Sequence, residues 1–202
     1  MYDLYFSPGT CALATQVVLT ELKQPVNAIN VQSLSNFMDV NPVAAVPALR
    51  DGDLVLTEGA AILLHLLDKH PNQLMPTEGK ARALAIRDMM FANATMHPAY
   101  GRLFFIAQNL PEEQQSEALV AAAQDINRLW GIVDQRLEQQ PFLGGESHSV
   151  ADILLTVYSD WGAYFPVEIK TGASSARMIA AIKQLTSYQV ASTEQQKVAA
   201  AG

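Results

Sequence analysis

Cysteine is almost missing from this chain. Cys11 is the only one in 202 residues, so no internal disulfide can form, and a reducing, cytoplasmic setting is the expectation. Basic residues are scarce as well. Thirteen Lys and Arg stand scattered against twenty Asp and Glu, and the net charge of −7 argues against a nucleic-acid or anionic-membrane surface. No window approaches the roughly 18 uninterrupted apolar residues that a membrane span requires. Asp3 and Pro8 fall where a signal peptide would place its basic and apolar regions, so none is expected. The four histidines (His65, His70, His97, His148) show no ligand spacing with the cysteine, and no metal site is expected. What remains is the profile of a globular protein, half hydrophobic and 16% charged.

Taken in order, Tyr2, Leu4 and Phe6 alternate with Asp3, Tyr5 and Ser7, the period of a strand with one buried face. A helix from about Cys11 to Lys23 follows, its stripe formed by Leu13, Val17, Val18 and Leu22. Val26 to Val31 gives a second strand, and strand–helix–strand over this length predicts a parallel pair. Residues 32–45 are polar and irregular, with Asn41-Pro42 as a turn signal. Two short apolar runs flank Asp51-Gly52-Asp53, which predicts a hairpin, and a helix from about Glu58 to Lys69 closes the unit. Proline-rich residues 71–77 read as a linker, so the expected domains are 1–70 and an all-helical 78–202. Within the second, Glu78 to Asn109 reads as one helix kinked by Pro98, and Ser149 to Asp152 as a capping box. The Gln- and Ala-rich end from Glu194 is expected to fray.

Chemistry is expected in Phe6-Ser7-Pro8-Gly9-Thr10-Cys11-Ala12. Pro8 and Gly9 break the strand, and Thr10 is placed to cap the helix that follows. Cys11 then stands at a helix N-terminus, where free N–H groups and the dipole favour thiolate over thiol. The alternative from these residues alone is a lone cysteine acting as a small buried hydrophobe.

The pattern resembles the glutathione transferases over nearly the whole chain, and within them the bacterial beta class. The resemblance rests on Pro8-Gly9-Thr10-Cys11, Asn41-Pro42, Val46-Pro47-Ala48-Leu49, Thr57-Glu58-Gly59 and Met96-His97. It implies a thioredoxin-like βαβ-ββα domain followed by a helical bundle, α/β plus all-α. It implies that Pro47 is cis and that Val46 pairs its backbone with the cysteinyl part of glutathione. The glutamyl end would lie at Glu58 and Gly59, at a helix N-terminus. Cys11 and His97 would be catalytic, and Tyr100 and Phe104 would line the substrate pocket. The implied activity is conjugation of glutathione, the only co-substrate, to small hydrophobic electrophiles, with monothiol thiol–disulfide exchange at Cys11 as a variant. A homodimer is implied, with no nucleic-acid or membrane partner. The competing reading is a binding or scaffold protein of the same fold.

The chain also departs from the family pattern. The segment between the second strand and Asn41-Pro42 is several residues short, so the second helix of the family should be reduced or absent, and Gln32 to Val46 contains neither Lys nor Arg for the glycyl carboxylate of glutathione. Pro98 replaces the lysine that usually follows the histidine. Met90 replaces an asparagine, for which Asn93 could substitute. Weaker or altered glutathione binding is the expectation.

Overall fold

The computed structural model describes residues 1–201. The elements run β1 (Tyr2–Phe6), α1 (Ala12–Glu21), β2 (Val26–Asn30), β3 (Ala48–Asp51), β4 (Leu54–Thr57), α2 (Gly59–Lys69), α3 (Gly79–Phe91), α4 (His97–Asn109), α5 (Glu112–Leu137), α6 (Val150–Ser159), α7 (Ala173–Lys183) and α8 (Thr186–Ala201). The chain divides into two compact units. Met1–Thr77 forms the first together with the C-terminal segment from Lys183, and Glu78–Ile182 forms the second. The expected helical domain of 78–202 is therefore too long: its last helix belongs to the first unit.

In the first unit the sheet order is β2-β1-β3-β4. β1 and β2 are parallel, from Tyr2 opposite Val26 to Phe6 opposite Asn30, as the strand–helix–strand spacing predicts. β3 lies antiparallel to β1, with Tyr5 opposite Ala48. β4 lies antiparallel to β3, with Ala48 opposite Thr57 and Asp51 opposite Leu54. Gly52 opens the two-residue hairpin turn at φ 61°, a left-handed value that glycine adopts without a Cβ clash. Asp51 ties the hairpin to α2. Its carboxylate accepts from the Lys69 ammonium and from His65 Nε2 at 2.8 Å, and these bonds, that of Lys69 first, hold its pKa below the usual carboxylate range. The shortened β2–β3 connection carries only two 3-10 turns, Val31–Ser33 and Phe37–Asp39, and no α-helix.

α1 is buried on more than the expected stripe. Ala12, Ala14, Val17, Val18 and Leu19 are all inaccessible, because α8 covers the side of α1 that the sheet leaves open. Burying each of the larger side chains is worth about 1.5–3 kcal/mol. The C-terminal segment is accordingly an ordered helix, not a frayed end. Tyr188, Ala191 and Gln195 recur at helical spacing and are buried. Gln16 Nε2 donates to Glu194 Oε2 at 2.8 Å, and the Ser187 hydroxyl donates to Glu21. The stripe is hard to see in a Gln- and Ala-rich sequence because its residues are small or polar.

In the second unit, Pro98 acts through a π-helical turn at Ala92–Met96 between α3 and α4. Proline cannot donate to a carbonyl one turn back, and the His97 N–H reaches five residues back to the Ala92 carbonyl. The interruption expected at Pro98 is thus a π-helical turn just before it. Trp130, Tyr158, Met89 and Met96 fill the core. Buried Asp88 is paired with Arg136 at 2.9 Å and with its neighbour Arg87. At the start of α6, Asp152 Oδ2 accepts from the Ser149 backbone N–H at 2.8 Å and from its hydroxyl at 2.7 Å. Asp152 Oδ1 accepts from the Leu143 N–H at 2.9 Å, so one buried carboxylate organises the entry to the helix.

Candidate active site

The strand register gathers four segments at one end of the first unit's sheet. The turn after Phe6, the connection after Asn30, the approach to Ala48 and the exit from Thr57 all lie there, since Phe6 is opposite Asn30 and Ala48 is opposite both Tyr5 and Thr57. Cys11, Val46, Pro47, Glu58 and Gly59 are all on these segments. The Val46–Pro47 peptide is cis.

The turn differs in detail from the sequence reading. Thr10 does not cap the helix with its side chain. Its hydroxyl donates to the Ser7 carbonyl at 2.7 Å and closes the turn, and Cys11 itself is the N-cap residue of α1. The Cys11 Sγ lies 3.5 Å from the Val46 carbonyl oxygen, to which the thiol donates. The ionisation of Cys11 runs opposite to expectation. Burial pushes its thiol up to about 11, and the N–H groups of Cys11 and Ala12 pull it down by less. Two partial charges at a helix terminus do not offset the loss of water around a full anion. Cys11 is therefore a thiol at neutral pH.

Glu58 precedes α2 at φ 67° and ψ 110°, a sparsely populated conformation for a residue with a Cβ. Its side chain is exposed and leaves the first N–H groups of α2 uncapped. A carboxylate-bearing ligand finds free backbone donors there. Nothing in the sequence signals this strained geometry.

The other expected site residues lie in the second unit. His97 opens α4, half-buried, with its ring edge-on to Tyr158 at 5.2 Å and to Trp161 at 5.1 Å. Burial lowers its pKa, so it is a neutral imidazole at neutral pH. Phe104, two turns further along α4, packs edge-on against Phe165 at 4.9 Å and Trp161 at 6.0 Å. Tyr100 is a core residue, not a pocket liner. It is fully buried, its hydroxyl accepts from Trp130 Nε1 at 2.9 Å, and burial pushes its pKa up to about 12. Trp161 was not singled out by the sequence reading, although it touches both His97 and Phe104. A tryptophan closing an apolar helical run was the available signal. Among the described residues no three His, Cys, Asp or Glu side chains gather to hold a metal ion. No helix among them is long and apolar enough to cross a membrane.

A thioredoxin-like sheet with a cis-proline before β3, in a chain whose second unit is all-helical, defines a class of two-domain thiol-handling proteins. Comparison with known proteins narrows the class. The family model described as the N-terminal domain of glutathione S-transferase matches residues 2–74. A curated glutathione S-transferase of Xanthomonas campestris pv. campestris is 32% identical over 170 residues, 78% of this chain and 81% of its own length. The solved glutathione S-transferase of Xylella fastidiosa superposes with a TM-score of 0.88 at 27% identity, covering 97% of this chain and 99% of that one. A sphingomonad glutathione S-transferase solved with bound glutathione gives a TM-score of 0.84 at 30% identity, over 96% and 98% of the two chains. The chain belongs to the glutathione S-transferase family.

Proposed function

We propose that the protein binds glutathione at the sheet end that carries Cys11, Val46 and Glu58, and conjugates its sulfur to small hydrophobic electrophiles, the thiol proton being lost as the S–C bond forms. The observation that carries this reading is the Cys11 thiol resting on the Val46 carbonyl beside Pro47. A cysteinyl residue laid along Val46 would donate its own N–H to that carbonyl. The Cys11 S–H, released from Val46, would then turn to the glutathione sulfur. A thiol with a pKa of about 11 serves as a donor to that thiolate, and the glutathione sulfur is the attacking atom. The glutamyl carboxylate would meet the free N–H groups of α2, with the Glu58 carboxylate accepting from its ammonium. His97 and Phe104 are proposed for the electrophile side, and the aromatic group of Phe104, Trp161 and Phe165 suits an apolar substrate.

Monothiol exchange at Cys11 is disfavoured by the same protonation, because the attacking species is thiolate. The scaffold reading predicts no turnover. We propose further that the protein is a homodimer, as the family resemblance implies. β4 exposes Leu54 and Val55 on a sheet edge, and α3 exposes Leu84 and Met90. Sedimentation equilibrium at micromolar protein tests this, and a monomer mass would exclude it. Calorimetric titration with glutathione, alongside conjugation of chlorodinitrobenzene, tests the main reading. Absence of binding at millimolar glutathione would sink it.

A further inference from the structure

Between α6 and α7 of the second unit, a 3-10 turn at Asp160–Tyr164 leads into residues 165–172, which belong to no helix or strand. This strap has no ladder of its own to fix it, yet it carries the ring of Phe165, edge-on to Phe104 at 4.9 Å. Helix α5 holds it. Asn127 Nδ2 donates to the Glu168 carbonyl at 3.1 Å, and Asn127 Oδ1 accepts from the Lys170 backbone N–H at 2.7 Å. One amide side chain thus supplies the donor and the acceptor that a neighbouring strand would supply. The ion pair of Lys170 with Glu168 at 3.2 Å is exposed on both sides and adds little. Two turns further along α5, on the same face, Asp134 Oδ1 accepts from the Ser175 N–H at 2.7 Å and fixes the far end of the strap at the start of α7. Between these two ties Ile169 sits on Gly162, where a Cβ would come within 2.8 Å of Ile169 Cγ1.

The strap sets one half of the aromatic group assigned above to the electrophile. The other half is fixed by packing: Trp161 is buried, with its ring 4.8 Å from that of Tyr158 and 5.1 Å from that of His97. Phe104 stands between the halves, edge-on to Trp161 at 6.0 Å and to Phe165 at 4.9 Å. Phe104 and Phe165 are each only half-buried, so their rings keep open surface. A planar aromatic guest can add an edge-to-face or offset contact to such a group, whereas a small aliphatic guest gains only from the area it covers.

We infer that Asn127 is a positioning residue for electrophile specificity: by pinning the 165–172 strap it holds Phe165 against Phe104 and favours planar aromatic electrophiles over small aliphatic ones. The inference rests on the conjugation reading above. The bonds of Asn127 go to the strap backbone, so it acts on the electrophile through Phe165.

Conjugation by the full-length protein of chlorodinitrobenzene, an aromatic electrophile, and of iodomethane, an aliphatic one, tests it through the ratio of the two kcat/KM values. Asn127→Ala should lower the ratio roughly three- to tenfold, the loss appearing in the KM for chlorodinitrobenzene, with glutathione affinity unchanged by calorimetry. Asn127→Asp keeps the acceptor for Lys170 and loses the donor to Glu168, and should fall between. Phe165→Ala should lower the ratio by a similar factor, and the double variant should go no lower, because both changes remove the same contact. Gly162→Ala displaces Ile169 and should lower the ratio with Asn127 intact. An unchanged ratio in Asn127→Ala, even with a lower melting temperature, would reduce Asn127 to a structural tie and overturn the inference. Losses from Asn127→Ala and Phe165→Ala that multiply in the double variant would overturn it too. Either result leaves the conjugation reading standing, whereas an unaltered protein that turns over neither electrophile removes that reading and this inference with it.

Discussion

The ionisation of Cys11 separates two mechanisms that share the same residues. With a pKa of about 11, its thiolate fraction at pH 7 is about 300-fold smaller than that of a free cysteine near 8.5. A more basic thiolate is a better nucleophile, with a Brønsted coefficient near 0.4–0.5, which returns roughly a factor of ten. Alkylation by iodoacetamide at pH 7 should therefore be about 30-fold slower than for a free thiol, before any loss from restricted access. The shape of the pH profile discriminates more sharply than the rate. The rate should climb about tenfold per pH unit through pH 9 and beyond, where an ordinary thiol has already levelled off. Turnover gives the second arm. If Cys11 donates to the glutathione thiolate, Cys11→Ala should cost about 1.5–3 kcal/mol in kcat/KM, and Cys11→Ser should recover most of it. Stopped-flow alkylation and conjugation assays on the three proteins measure both. A rate plateau below pH 8, together with a serine variant as inactive as the alanine one, would refute the donor role.

Four further outcomes follow from the geometry. Glu58→Gly should raise stability by about 1 kcal/mol in urea unfolding, by relieving the left-handed backbone, while glutathione affinity falls because the carboxylate is gone. Ala44→Gly, at φ 57° in the exposed connection before Val46, should stabilise by a similar ~1 kcal/mol with affinity unchanged. Because Lys69 and His65 lower the Asp51 pKa, the Asp51 contribution is present above the unfolded carboxylate pKa and is lost as pH falls through the folded one. The acid limb of a thermal-stability profile should flatten in Asp51→Asn, and an unchanged limb would count against the network. Asp152→Ala leaves the buried donors of Ser149 and the half-buried N–H of Leu143 unpaired and should cost about 2–4 kcal/mol by chemical denaturation.

The parts of this fold that were legible beforehand are those written in strong local chemistry. The strand at Tyr2–Phe6, the Asp-Gly turn and the Asp152 capping motif each follow from a short-range rule, although Tyr5, on the face read as open, is buried against Phe37 as well. The missing second helix was visible as a length and composition deficit between Asn30 and Val46. Readings failed where a distant element decides. The burial of α1 on both sides depends on α8, about 170 residues later, and so does the order of the C-terminal helix. The ionisation of Cys11 failed for a related reason. A helix N-terminus can be read from the sequence, but the desolvation that outweighs it comes from packing. Tyr100 shows the same limit: an aromatic two turns from a site and one buried against Trp130 look alike in sequence.

The position of α8 also bears on synthesis. Its partner surface on α1 and β2 leaves the ribosome early, whereas α8 emerges only after the entire helical unit between Thr77 and Lys183. At about 5–20 residues per second, that interval lasts roughly 5–20 s, during which the face of α1 that α8 covers stays bare. The nascent first unit thus exposes apolar surface during that delay, and a fragment ending at Thr77 lacks the helix that covers α1. A stop codon anywhere before Thr186 removes the cover permanently, so late truncations should affect solubility as severely as early ones.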